Sequence, residues 1–547
     1  MTDVCAENAV LTAACFRRAL KLGPVLVIAV TLLTGCTMVG PDFLRPSTKV
    51  SSQWLEADDP RVENAPANYR EWWKAFNDPV LENLIQSAYR QNLSLRIAGV
   101  RVFEARAQLG IAIGEFFPQA QQALGSTTYN RISESALGTS QTQIGQNTSI
   151  GLSYMQAQLG LGASWEVDFW GKYRRAIQSA DANLLGSIAA YDNALVTLTG
   201  DVASTYVLIR TLEDRLKIAR ENVEIQKQSL DIAKVRFRGG VTSDRDVQQA
   251  IAELKNTEAT VFQLDTQLRQ AKNALCTLLG LVPGQLDDEL SVTSGIPNAP
   301  LQVAIGIPAD LLRRRPDIRS AEYQAVALCA QIGVAKADLY PAFSLSGSFG
   351  FLASDVGQFQ LGDLTSWRSR TVSAGPAFQW NLLNYGQITN RVRVQDARFQ
   401  EALVSYQNTV LQAQQEVENG LIAFINAQHQ VGSLTEAVEA AKQSVDLATI
   451  QYKEGVTDFT TVLTAQQNLL SYQLSLADSQ GAVPQSLITT YRALGGGWEI
   501  REGHDFIPAE TKETMGNRTD WGKLLTPAAV EPPAPEAPGS LIRAPDW

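Results

Sequence analysis

Histidine is almost missing from this chain, with only His429 and His504 among 547 residues. So few imidazoles, so far apart in sequence, leave little from which to build a histidine-based metal site or acid–base centre. Cysteine is scarce as well. The five thiols, Cys5, Cys15, Cys36, Cys276 and Cys329, form no pair at the short spacing of a zinc or redox motif. Cys276 and Cys329 fall in helical patterns and read as buried free thiols, a disulfide between them being the alternative. Positive charge is in deficit: 46 Lys and Arg against 56 Asp and Glu give a formal charge of −10, which argues against a nucleic-acid partner. Nothing reads as a nucleotide loop, a nucleophile with its base or a metal cluster. Neither an enzyme nor a cofactor is expected.

What the chain does have is a stretch that occurs twice. Residues 227–242 read KQSLDIAKVRFRGGVT and residues 442–457 read KQSVDLATIQYKEGVT, with eight of the sixteen positions identical. Each copy ends a long helical pattern at a glycine, Gly240 or Gly455, the usual residue for stopping a helix. The chain is expected to build one helical hairpin tip twice.

At the front, Arg17, Arg18 and Lys21 precede the apolar run GPVLVIAVTLL and then Leu33-Thr34-Gly35-Cys36. A basic start, a short apolar run and small residues describe a secretory signal over residues 1–35, too short to span a bilayer. The cysteine that follows resembles that of a bacterial lipobox, which implies acylation of Cys36, and Thr37 in place of Asp implies an outer-membrane address. Residues 36–83 are expected to form an N-terminal anchor and equatorial segment.

A helical pattern over 84–115 ends at Pro118. Between 119 and 170 the period changes to 2: Ala157, Leu159, Leu161, Ala163, Trp165 and Val167 alternate with polar or small residues, which predicts a strand. Its partner around 119–133 alternates poorly, and 134–147 reads as the connecting loop. Lys172–Arg238 is helical without interruption for about 67 residues, or ~100 Å, a length no globular core needs. A second helix is expected from about Thr242 to Leu279. Two shorter helices, stacked end to end, then match one long one.

The plan is repeated. AQLGIAIGEFFP at 107–118 matches AQIGVAKADLYP at 330–341, an offset of 223, whereas WEVDFWG at 165–171 matches WNLLNYG at 380–386, an offset of 215. The first repeat spans 84–285, the second 317–497, and 286–316 links them. In the second repeat Phe343, Leu345, Phe349 and Phe351 oppose serines, and Val372, Ala374, Phe378, Trp380 and Leu382 alternate likewise. Such faces suit membrane barrel strands, a soluble sandwich being the alternative. Four strands cannot close a spanning barrel, so other subunits must complete it in a cyclic oligomer. Residues 498–547 lose all pattern and read as a Pro/Ala-rich disordered tail.

With these residues in view, the chain resembles the outer-membrane factor (TolC-like) family, in the RND efflux lipoprotein branch of the OprM and NodT type. The matching stretches are Leu33–Cys36, GPDFLRP at 40–46, EWWKAFNDPVLENLI at 71–85, ASWEVDFWGKYRR at 163–175, GIPADLLRRRPDIRSAE at 306–322, IGVAKADLYP at 332–341 and the duplicated tips. The resemblance implies a mainly α fold with a membrane β-barrel: a homotrimer with twelve strands, four per subunit, continued by a long α-helical barrel. It implies a lipid-anchored channel in the bacterial outer membrane, partnered by a periplasmic adaptor (membrane fusion protein) and an inner-membrane RND-type pump. Passive export of drugs or other small molecules follows. The duct of a type I protein secretion system, and a non-pore periplasmic scaffold lipoprotein, are the alternatives. By matching position, Gly240, Val241, Thr242, Gly455, Val456 and Thr457 are the adaptor-docking turns. Asp246 matches a family aspartate beyond the first tip. Thr461 and Thr464 stand where better-known members carry aperture aspartates, so Asp246 or Asp458 is left to supply charge there. Arg313-Arg314-Arg315 is a weaker candidate for an anion site.

Overall fold

The computed structural model describes residues 38–63, 69–131, 153–291, 295–304, 314–355 and 360–526. Cys36, the loop read at 134–147 and residues 527–547 lie outside them. The first repeat contains α1 (Pro79–Gln91), α2 (Leu93–Phe116), β1 (Ala120–Arg131), β2 (Ser153–Val167), α3 (Lys172–Arg238) and α4 (Asp244–Leu278). The second contains α5 (Pro316–Ala337), β3 (Ala342–Ser354), β4 (Arg370–Gln379), α6 (Gln387–Lys453) and α7 (Phe459–Ala493), followed by α8 (Ala509–Arg518). The long helices α3 and α6 are both 67 residues, and both start after a left-handed glycine, Gly171 at φ +79° and Gly386 at φ +81°. Each spans ~100 Å.

Helix α2 and then α4 pack along α3, while α5 and then α7 pack along α6. Helices α3 and α7 join the two halves through a ladder of polar contacts. Asn222 donates to Gln473 at 2.8 Å, Gln466 to Ser229 at 2.6 Å and Gln485 to Ser204 at 2.9 Å. Arg215 pairs with Asp478 at 3.2 Å and Arg492 with Asp201 at 2.9 Å. The seam is close because small residues line it: a Cβ at Gly481 would collide with Thr211.

The four strands form one antiparallel sheet in sequence order, β1-β2-β3-β4. Gly160 lies opposite Gly350 at its centre, and a Cβ on Gly160 would stand 2.9 Å from the Phe349 carbonyl, so β2 and β3 meet on bare backbone. Among the described residues only β2 and β3 have two strand partners; β1 and β4 each leave an edge open. No helix among the described residues is long and apolar enough to cross a membrane, which says nothing about a β-barrel.

Two expectations are corrected. The helical pattern over 84–115 is broken at Asn92, whose side chain accepts from the Leu95 amide at 2.7 Å and starts a new helix. Residues 498–526 are folded. Trp498–Arg501 is a short 3₁₀ turn, and α8 follows it. Phe506, Ile507 and Met515 are buried in the main core with Phe103 and Tyr191. Arg501 donates to the fully buried Asp192, its Nη2 at 3.1 Å, and Phe506 meets Tyr191 edge-on at 5.1 Å. The segment shows no period because it is not an amphipathic element. Its apolar side chains fill separate gaps over α2 and α3.

The N-terminal segment runs from the strand ends down the outside of the helices. Val39 donates to Trp170 at 3.0 Å, Arg175 pairs with Asp42 at 2.8 Å, and the Leu55 amide reaches Glu418 at 3.1 Å. Cys276 and Cys329 are buried and free, with no disulfide between them.

Candidate docking and gating tips

The two predicted tips close identically. At the first, the Gly240 amide donates to Phe237 at 2.9 Å and Val241 to Arg236 at 3.1 Å; at the second, Gly455 donates to Tyr452 at 3.1 Å and Val456 to Gln451 at 2.9 Å. This paired closure satisfies the last carbonyls of a helix and requires a left-handed residue. Gly240 and Gly455 supply it at φ +70° and +81°. The valines that follow point outward, Val241 63% and Val456 76% exposed. They are not alone: Val235 and Phe237 near the first turn and Leu447 and Ile450 near the second are exposed as well.

Behind the turns the copies diverge. Thr242 donates to Asp246, and in the corresponding place Thr457 donates to Thr461 at 3.0 Å. Thr461 also donates to Asp458 at 2.9 Å, and Asp458 caps α7 by accepting from the Thr461 amide at 3.2 Å. Thr464 bonds its own helix at Thr460, 2.9 Å away. Asp458, Thr461 and Thr464 are exposed, whereas Asp246 is only 5% exposed. Asp246 faces the other hairpin, where Tyr452 donates to it at 3.4 Å. Burial raises the Tyr452 phenol above its ordinary pKa, so it stays protonated and able to donate.

Two further residues at this contact carry no sequence signal of their own. Arg236 donates to the Lys453 carbonyl at 2.8 Å and lies 4.7 Å over the Tyr452 ring. Phe459 meets the same ring edge-on at 5.3 Å. The repeat alignment pairs Arg236 with Gln451 and Tyr452 with Phe237, so the asymmetry was visible, but not which helices meet. Below this contact Val223, Leu230, Ala233, Val247, Val445 and Val462 form a separate apolar cluster at the tip.

The arginine triplet does something else. Arg313 lies outside the described residues. Arg314 pairs with Glu499 and lies 4.3 Å over Tyr69. Arg315 pairs with Asp317 at 2.7 Å and Glu416 at 2.8 Å. Both charges are taken up by carboxylates of the chain itself. Among the described residues, no group of three or more His, Cys, Asp or Glu side chains could hold a metal ion.

An edge-open antiparallel sheet, continued by paired ~100 Å helices that end in two matched turns, is the build of one subunit of a membrane channel. The family model described as outer membrane efflux protein matches residues 84–281 and 307–496, and the chain belongs to that family. It is similar to Nodulation protein T of Rhizobium leguminosarum bv. trifolii, 32% identical over 449 residues, covering 82% of this chain and 91% of that protein. It is also similar to the solvent efflux pump outer membrane protein SrpC of Pseudomonas putida, 31% identical, covering 87% of this chain and 98% of that one. The solved outer-membrane channel OprN superposes with a TM-score of 0.76 at 32% identity, over 84% of this chain and 99% of that chain.

Proposed function

We propose that the protein is the outer-membrane exit duct of a tripartite efflux system, conducting small molecules passively from an inner-membrane pump through a periplasmic adaptor. The observation that carries this reading is the joining of the open four-stranded sheet to two 67-residue helices. A strand edge left bare in a bilayer costs several kcal/mol per unpaired group, so the sheet calls for closure by other copies. We take the assembly to be a homotrimer with twelve strands, as in the family it resembles. The relatives named for solvent and pyoverdine export support small-molecule traffic, and an RND-type pump is the partner proposed for this chain.

In this reading the tips dock the adaptor through Gly240–Thr242 and Gly455–Thr457. The Asp246–Tyr452–Arg236 contact holds the two hairpins of one subunit together. Thr461, Thr464 and Asp458 supply the exposed polar surface beside it. No substrate chemistry is needed: the pump supplies the energy and the duct supplies the path.

A lipid anchor on Cys36 is part of the proposal. Met38 lies against Gly171 at the strand–helix boundary: a Cβ on Gly171 would stand 2.6 Å from the Met38 side chain. Cys36 is two residues earlier in the sequence.

The test is a deletion strain exposed to organic solvents, dyes and antibiotics. Sensitisation that the intact gene reverses, and that the gene carrying disrupted tips does not, is the expected result. Unchanged tolerance across the panel would contradict the efflux reading.

A further inference from the structure

The two repeats are related closely enough to dictate how a second copy must join the sheet. We propose that β4 of one subunit pairs with β1 of the next in a single register, which sets Phe378 opposite Gly125 and Ala374 opposite Tyr129. This rests on the closed, oligomeric barrel proposed above.

The argument begins inside one chain. Helices α3 and α6 begin and end 215 residues apart, as do α4 and α7. The Trp165 indole donates to the Phe116 carbonyl at 3.1 Å, and Trp380 repeats this to Leu339 at 3.0 Å. So β2 and β4 are equivalent strands, and β1 and β3 are the other equivalent pair. The junction between the repeats is the pairing of β2 with β3. A cyclic assembly of such repeats must form the same junction again between β4 and the next copy's β1.

The register needs one correction that sequence alone does not supply. Up to the prolines, Pro118 and Pro341, the repeats are offset by 223 residues. In the sheet, however, Gln121 pairs with Ala163 whereas Phe343 pairs with Phe378. Since Ala163 and Phe378 are 215 apart, Gln121 is the counterpart of Phe343, an offset of 222. The extra residue is Gln119, which accepts from the Glu166 amide at 2.7 Å before β1 starts. With the offset left at 223, every residue of β1 would face the wrong side of the sheet.

Transferring the β2–β3 pairs with these offsets gives the new edge. Ala163 opposite Gly347 becomes Phe378 opposite Gly125, and Leu159 opposite Phe351 becomes Ala374 opposite Tyr129. Each pair sets a large side chain against a small one. Phe378 is 71% and Tyr129 66% exposed in the single subunit; Phe378 touches Phe343 on one side, 6.5 Å between ring centroids, and both rings have an open side for the small partner. Gly160 is hard against Gly350, while its counterpart Gly375 has nothing within 4 Å of a built Cβ. In the transferred register Gly375 receives Thr128 of the next copy.

Paired cysteines test this in the full-length, membrane-inserted protein. Directly opposed residues place their Cβ atoms about 4.5–5.5 Å apart, diagonal ones about 7–8 Å, and disulfides need about 3.5–4.5 Å. The variant carrying Tyr129→Cys and Ala374→Cys is expected to oxidise to a covalent species of three chain masses. Variants pairing Ala374→Cys with Thr127→Cys or Arg131→Cys should cross-link at least tenfold more slowly. Cys276 and Cys329 are buried, and the protein without the added cysteines, which keeps Cys36, measures the background. Native mass of the unoxidised oligomer is measured alongside. Intact trimers that cross-link best through a displaced pair, or through none, overturn the register while leaving the trimer standing. A monomer by mass overturns the oligomeric reading itself.

Discussion

Tyr452, on the second hairpin, directs its hydroxyl at the buried carboxylate of Asp246 on the first, 3.4 Å away, while its ring carries Arg236 on one face. The contact crosses between the repeats at the end of the molecule farthest from the strands. Tyr452→Phe removes the bond and leaves the ring. A hydrogen bond of this kind contributes about 0.5–1.5 kcal/mol, so local opening of the first hairpin should rise roughly two- to tenfold. Amide exchange across 242–250 checks this, with exchange in the strands unchanged.

The exposed valines at the turns should matter to a partner and not to the fold. Val241→Asp and Val456→Asp change side chains in solvent, where substitutions stay within about 0.5 kcal/mol of wild type. Unfolding temperature, oligomer size and membrane insertion are expected to be unchanged while adaptor binding and export fall. Full drug tolerance in the double variant would remove the tips from docking.

Asp192 is fully buried, with Arg501 as its main partner and Arg319 at 3.9 Å. Removing one side of a buried pair costs about 3–5 kcal/mol, so Arg501→Ala should lower the unfolding temperature clearly. Burial pushes the Asp192 carboxyl above its ordinary pKa even with Arg501 opposing the shift. A raised folded pKa means the folded state holds the proton more tightly. That contribution is complete below the unfolded pKa and is lost as pH rises through the folded one. The defect of Arg501→Ala should therefore shrink on acidification, read from melting curves between neutral and mildly acid pH.

Gly481 admits α3 to α7 at Thr211. Gly481→Val overpacks that seam, at a cost of about 1–3 kcal/mol. Combining it with Thr211→Ala should return most of the loss, as chemical denaturation would show.

Much of this was legible in the sequence because a few simple periods govern the chain. The uninterrupted pattern from Lys172 to Arg238 gave both ends of α3, and the alternation from Ala157 to Val167 gave β2. Strand β1 was harder to read. The face it shares with Leu159 and Leu161 carries Gln121, Ala123, Gly125 and Thr127 before its one large residue, Tyr129, so the period is faint; the single extra residue, Gln119, then concealed its register. The folded segment beyond Trp498 escaped because Phe506, Ile507 and Met515 each fill a gap made by other elements. At the tips, the turns were readable from Gly240 and Gly455. The burial of Asp246 was not, since it depends on Tyr452, which lies 206 residues away.

Single-channel recording in planar bilayers, with purified oligomer and no adaptor, tests the central claim most directly. Wild-type protein should insert and pass current in discrete steps, and the Asp246→Asn/Tyr452→Phe variant, altered only at the far tip, should insert and conduct through the same pore size at the membrane. Correctly assembled, inserted oligomers that pass no current in either form would contradict the account.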